Sequence, residues 1–209
     1  MSRITQLKAQ KNRKWVNIFL DGAYFTSLEL MTVTKLGLKV GMDISQPELN
    51  QFLKKHHDEK LLFRAMNFRS LRPRSKQEVT SYLQKKWTPK LSKEEYRKRV
   101  RGVVEKLKKD NLLGDNEFAN WWVEQRLTFR PKGKIALRRE LQQKGIGDRI
   151  ITEVLESLDE VEAAKRVAGK KSRLFKGLAP MQARRKLIAL LQRRGFSWDT
   201  IRQIVDESL

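Results

Sequence analysis

The chain has 209 residues, with 46 lysines and arginines against 24 aspartates and glutamates and a formal net charge of +22. Only 39% of its residues are hydrophobic and 33% are charged, which suits small helical units sharing a thin core better than one sphere with a deep interior. The absence of cysteine excludes disulfides and thiolate metal sites. No signal-peptide pattern and no apolar run of bilayer length occurs, so a soluble, cytoplasmic protein is expected. Positive charge of this size favours nucleic acid, or a complex containing it, over an anionic membrane as partner.

In chain order, WVNIFL from Trp15 to Leu20 and AYFTSL from Ala23 to Leu28 read as two short strands joined at Asp21-Gly22. Asp-Gly suits a type I′ hairpin turn, whose two central residues both take positive φ. A lone hairpin is marginal in water, so this one should pack on the helices that follow. Leu28 to Leu36 fits a short helix stopped by Gly37, and GLKVGMDIS reads as a linker. Ser45 and Glu48 have capping-box spacing and open a longer helix through Leu49, Phe52 and Leu53 to the neighbourhood of Asn67. Residues 1–68 are therefore expected to form a small module of hairpin and helix.

After RSLRPRS the pattern is purely helical. Ser75 with Glu78 opens a helix carrying Val79, Tyr82, Leu83 and Trp87, and Pro89 marks its break. Ser92 with Glu95 opens the next, with Tyr96, Val100, Val103, Val104 and Leu107 at helical spacing. Asp115 is expected to cap a third, with Phe118, Ala119, Trp122 and Val123 inward. Beyond FRPKGK, Leu137 and Leu141 define a helix ended by Gly145. Asp148 is expected to cap its successor, which buries Ile150, Ile151, Val154, Leu155 and Leu158. A further helix runs from Val161 into the basic stretch before Gly177. A last pair starts near Pro180, with Leu187 and Leu191 inward, Gly195 as the stop, Ser197 as a cap, and Ile201, Ile204 and Val205 inward.

These segments repeat. Leu141 lies 58 residues after Leu83, and Leu191 lies 50 after Leu141; Arg72-Pro73 recurs at the first offset as Arg130-Pro131. Units of this size bury their apolar faces partly against neighbours. The expected fold is mainly α: tandem three-helix repeats at 69–128 and 129–178 and a truncated one at 179–209, in an elongated curved array after the N-terminal module.

Basic residues gather where repeats start: Arg69, Arg72, Arg74 and Lys76; then Arg126, Arg130, Lys132, Lys134 and Arg138; then Arg184, Arg185, Arg193 and Arg194. Stacked in one direction, these would line a basic track, whereas each alone is by default a solvated helix face. Trp121 and Trp122 invite base stacking, but aromatic residues at helical spacing usually pack, one in the core and its neighbour at a helix boundary. Trp198, just after Ser197, suits either a staple or an exposed contact. His56-His57 with Asp58 and Glu59 reads as surface, because adjacent helical side chains diverge and no third ligand follows. The GIG of 145–147 follows a helix and lacks the order of a phosphate loop. With no nucleophile beside a base, no enzyme, metal or cofactor is expected.

Four stretches together resemble the RecX family, regulators of the RecA recombinase: RPRSKQEVTSYL (72–83), LGDNEFANWWVEQR (113–126), ELQQKGIGDRIITEVL (140–155) and LLQRRGFSWDTIRQIV (190–205). The hairpin and GLKVG also look like that family's front end, and ELQQKGI is the most specific element. Trp87 departs from the glycine usual at its place, and WTPKLSKEEYRKR is unusually long and basic. The resemblance implies tandem three-helix repeats, no catalysis, and binding in the groove of the RecA filament on single-stranded DNA; a monomer is expected. Its implied setting is recombination, DNA repair and the SOS response, with inhibition of recombinase and coprotease activity the expected effect. The alternative is a direct DNA-binding regulator using the helices around Gly145 or Gly195 as a helix-turn-helix; against it, the apolar second helix leaves chiefly Arg149 and Glu153 to read bases. Naked DNA or RNA binding without sequence preference also fits the charge.

Overall fold

The computed structural model describes residues 1–11, 13–86, 92–171 and 177–208. The Asp21-Gly22 turn has positive φ at both residues, 49° and 82°, and joins β2 (Trp15–Leu20) to β3 (Ala23–Glu29). The hairpin is part of a larger sheet. β1 (Ser2–Ala9) pairs antiparallel with β2, and β4 (Asp43–Ile44) with Ser2 and Arg3, giving the order β3-β2-β1-β4. The GLKVGMDIS stretch is thus more than a linker: it ends in an edge strand, tied by an Arg3–Asp43 ion pair at 2.9 Å. A bulge between Ile4 and Gln6 explains why β1 is hard to read. It resets the alternation, so Ile4 and Leu7 pack on one core although they lie three positions apart.

One face of the sheet is covered by α1 (Leu30–Lys35) and the 24-residue α2 (Gln46–Arg69), which close Ile4, Ile18, Leu28, Val33, Leu49 and Phe52 into a core. The Ser45 backbone N–H donates to Glu48 at 2.8 Å, as the capping-box spacing requires. The helices that follow are α3 (Lys76–Gln84), α4 (Lys93–Lys109), α5 (Asp115–Phe129), α6 (Lys134–Gln143), α7 (Asp148–Glu156), α8 (Glu160–Lys171), α9 (Pro180–Arg193) and α10 (Trp198–Ser208). Trp87, Pro89 and the stretch 172–176 lie outside the described residues.

The chain divides into two compact units, Met1–Leu71 with Tyr82–Lys106, and Arg72–Ser81 with Leu107–Leu209. In the second, the buried clusters group α5 with α6 and α7, and α8 with α9 and α10. The three-helix units are therefore phased one helix earlier than the divisions expected at 129 and 179, and the last unit is complete. The reason is contact rather than sequence order. Phe118, Ala119 and Val123 of α5 bury against Leu141 and Ile151, and Ala164 and Val167 of α8 against Leu191 and Ile201.

One junction occurs twice. At the start of α3 the Ser75 hydroxyl donates to the Lys144 carbonyl at 2.8 Å, beside Gly145. At the start of α6, fifty-eight residues on, Gly133 and Ile135 N–H groups donate to the Arg194 and Gly195 carbonyls at 3.0 and 3.1 Å. Gly145 and Gly195 share a left-handed φ of 75° and 73°, the conformation that ends a helix and turns its last carbonyls outward. The first turn of α3 and of α6 thus meets the closing turn of the equivalent helix one unit on.

Two expected caps act elsewhere. Asp115 and Asp148 are the first helical residues after Gly114 and Gly147, and neither caps its own helix. Asp115 instead accepts the Lys76 N–H at 2.9 Å, and Glu160, first residue of α8, accepts the equivalent Lys134 N–H at 2.6 Å. Ser75 and Ser92 do cap, accepting the Glu78 and Glu95 N–H groups at 3.1 Å, but these glutamates point their carboxylates at cations rather than back at the cap.

Candidate partner interface

Most of the basic residues singled out by the sequence lie in the second unit: Arg72, Arg74 and Lys76 at the opening of α3, Arg130, Lys132 and Lys134 at that of α6, and Arg193 and Arg194 at the closing turn of α9. Arg69 ends α2 in the first unit. Arg72, Arg126 and Lys132 converge on carboxylates. Arg72 grips Glu78 with both terminal nitrogens at 3.1 Å, and Lys144 reaches the same carboxylate at 2.8 Å. Glu140 accepts from Arg126 at 2.7 Å, from the Trp122 indole N–H at 2.8 Å and from Lys132. Trp122 joins the two groups, with Arg126 at 4.4 Å and Lys144 at 5.0 Å from its ring centre, while Arg72 sits 5.1 Å from the ring of Trp121.

Four cations therefore share two carboxylates around a tryptophan pair, which leaves the cluster positive and ordered. Both tryptophans are half-buried and pack against the core of α5, α6 and α7. The expected division into one core and one boundary ring is replaced by two boundary rings. Next to them Gln125, Arg126, Arg130 and Phe129, which is 72% exposed, line a shallow cavity of about 240 Å³.

Of the remaining singled-out residues, Arg138 lies 3.9 Å from Asp148, Arg184 pairs with Asp206 at 2.9 Å, and Arg194 donates to the Pro131 carbonyl at 3.0 Å. Arg74 and Lys134 are half-buried and Lys76 is exposed. Burial, and then the nearby Arg72 charge, hold the Arg74 guanidinium below its ordinary value. Arg130, Arg185 and Arg193 are exposed and have no ion-pair partner among the described residues. Sequence reasoning missed Glu78 and Glu140 as organisers, together with Lys144 and Phe129. The signal available was that Glu140 and Lys144 bracket the ELQQK motif.

His56 is buried rather than superficial, because its ring meets the edge of Trp15 at 6.1 Å. Trp198 is 52% exposed at the start of α10, whose cap is Ser197. Among the described residues no group of three histidine, aspartate or glutamate side chains could hold a metal ion. No described helix is long and apolar enough to cross a membrane.

Burial alone would raise the Glu78 and Glu140 carboxyls, but hydrogen bonds from Arg72 and Lys144, and from Lys132, Arg126 and Trp122, outweigh it and hold both below the usual glutamate value. The unfolded chain therefore binds more protons in acid. The stabilisation from these groups is complete above about pH 4.3 and disappears as pH falls through the lowered folded values. Thermal melting followed from neutral pH to below pH 4 should fall more steeply for the natural protein than for a Glu140→Gln variant. Equal slopes would show that the cluster contributes nothing to this pH dependence.

The comparisons agree with this architecture. Family models match in three places: the regulatory protein RecX N-terminal domain over residues 2–45, the RecX second three-helix domain over 115–155 and the third three-helix domain over 159–205. The last two spans coincide with the groupings of α5 to α7 and α8 to α10. Regulatory protein RecX of Bacillus licheniformis is 33% identical, with all of this chain aligned to 78% of that protein, and regulatory protein RecX of Bacillus subtilis is 32% identical, with 99% aligned to 77%. A crystal structure of regulatory protein RecX, 25% identical, superimposes with a TM-score of 0.74 over 99% of this chain and all of that one. RecX from Lactobacillus salivarius, at 23% identity, shares the fold with a TM-score of 0.62 over 73% of this chain and 96% of that one. A strand module followed by three-helix units in this order, with sequence likeness along the whole chain, leads to one assignment: the chain belongs to the RecX family of regulatory proteins.

Proposed function

We propose that this chain is a non-enzymatic regulator of the RecA recombinase that binds as a monomer in the groove of the RecA filament on single-stranded DNA and lowers its recombinase and coprotease activities. The observation that carries this reading is the twice-repeated junction. It strings three-helix units together and brings basic residues to each opening, so that several weak contacts to a repetitive partner act as one. Internal ion pairs preset the cluster around Trp122, while Arg130, Arg185 and Arg193 remain exposed for a phosphate or an acidic protein surface. Obstruction of the groove regulates only if the chain binds one filament state better than another. Against direct reading of base edges, α7 exposes Glu153 and Glu156 beside Arg149.

The test is DNA-dependent ATP hydrolysis by the host's RecA on single-stranded DNA, titrated with this protein at physiological salt. Inhibition is expected below one protein per recombinase, under conditions where naked DNA binds weakly. Exposed ion pairs contribute roughly 0.2–1 kcal/mol each. A combined Arg130→Glu, Arg185→Glu and Arg193→Glu variant should therefore need about tenfold more protein, the added repulsion included. No inhibition at saturation, or selective binding to one duplex sequence, would remove this reading.

A further inference from the structure

The first unit carries a groove between α2 and α4 that the proposed regulation leaves unused. Its volume is about 630 Å³, within the size range of ligand clefts, and Leu62 and Val103 contribute its apolar floor. Gly102 lines it from the interior of α4, where glycine is unfavourable relative to alanine. A β-carbon built there meets nothing within 4 Å, so packing within the protein does not require the glycine. The missing side chain deepens the groove instead.

Lys98, Gly102 and Lys106 follow one another at four-residue spacing, so the gap is flanked by ammonium groups on one helix face. Lys54 and Lys55 line the groove from α2. The carboxylates nearby are already engaged. Asp58 and Glu95 both hold Arg99, at 3.1 and 2.8 Å, and Glu59 accepts the Thr32 hydroxyl and the Glu29 N–H. The four lysines have no carboxylate partner among the described residues. Five cations against three carboxylates leave this slot, with its apolar floor, a net positive rim.

We propose that this groove binds an acidic peptide segment of a partner protein, with one leucine-sized side chain seated over Gly102 and flanking aspartates or glutamates paired to Lys54, Lys55, Lys98 and Lys106. The chemistry selects this occupant. A nucleic acid would seek aromatic rings or free guanidinium planes to stack on, and the groove offers aliphatic side chains and an Arg99 already committed to two carboxylates. A concave slot also gives a bilayer no apolar protrusion to take up. The proposal is independent of the RecA reading, since any acidic partner segment of this pattern satisfies it.

The experiment uses the full chain and two fluorescent synthetic peptides, each rich in aspartate and glutamate, one with a central leucine and one with serine there. Anisotropy at physiological salt should show the leucine peptide binding at least about tenfold more tightly, the order expected for burying one such side chain. Gly102→Leu, which fills the slot, and Lys98→Glu with Lys106→Glu, which reverses its rim, should each weaken binding about tenfold. Gly102→Leu should melt no lower than the natural protein, which separates a blocked groove from a lost fold. Equal binding of the two peptides, or insensitivity to Gly102→Leu, overturns the proposal. So does an oligonucleotide or an anionic vesicle that competes for the groove and loses its own binding in Gly102→Leu.

Discussion

Gly133→Ala is expected to destabilise the second unit by about 3 kcal/mol, the upper range for overpacking, because the new methyl meets the backbone of the closing turn of α9. Its β-carbon would fall 2.2 Å from the Gly195 carbonyl oxygen and 2.3 Å from the Phe196 Cα. Neither atom can rotate away as a side-chain tip would. The φ of Gly133 is −78°, open to any residue, so the requirement is for space and not for conformation. Relief demands that the closing turn of α9 move off the opening of α6, which lengthens the bonds from Gly133 and Ile135 to the Arg194 and Gly195 carbonyls. At roughly 2–4 °C per kcal/mol for a chain of this size, the melting temperature should fall by about 6–12 °C. Gly147→Ala is the matched control: Gly147 also precedes a helix, at φ −71°, yet a β-carbon there meets nothing within 4 Å. If both variants lose the same stability, the cost belongs to helix capping, and the packing account of the junction fails.

The second large effect is expected at Glu160, an 8% exposed carboxylate that binds the last two units together. It accepts the Lys134 N–H at 2.6 Å, the Ser197 hydroxyl at 2.6 Å and the Thr200 hydroxyl at 3.0 Å. Glu160→Ala leaves the Lys134 N–H and one hydroxyl of the Ser197–Thr200 pair, whose oxygens lie 2.8 Å apart, without an acceptor beside the 6% exposed Thr200, and should cost roughly 3 kcal/mol. Glu160→Gln keeps the shape and one acceptor but turns an amide N–H toward a donor, so about half the loss is expected. Denaturant midpoints with unchanged slopes would measure both losses. A Glu160→Ala loss below about 1 kcal/mol would mean that water replaces the carboxylate and that the junction rests on the Gly133 and Ile135 bonds to the Arg194 and Gly195 carbonyls. Because Gly133 and Lys134 share this junction, combining Gly133→Ala with Glu160→Ala should cost less than the sum of the two.

Much of the fold was legible in single residues because the causes are local. Asp21-Gly22 marked its turn, Ser45 and Glu48 their helix start, and Gly145 and Gly195 their helix ends, since each follows from the φ a residue tolerates or a bond spanning a few positions. Apolar spacing found the inward residues Leu137, Leu141, Ile151, Leu187, Leu191 and Ile201, all of them buried. Charge named a set of cations without distinguishing their roles, because exposed and paired lysines look alike in a sequence. Tertiary structure alone decided that Arg72 and Lys144, distant in the chain, share Glu78, that Asp115 and Glu160 cap helices other than their own, and that α5 and α8 begin units rather than end them. The physical reason is range. Turns, caps and amphipathic faces are set by neighbours within a few residues, whereas ion-pair choice, the phase of the repeats and the room at Gly133 depend on which surfaces meet once those helices pack.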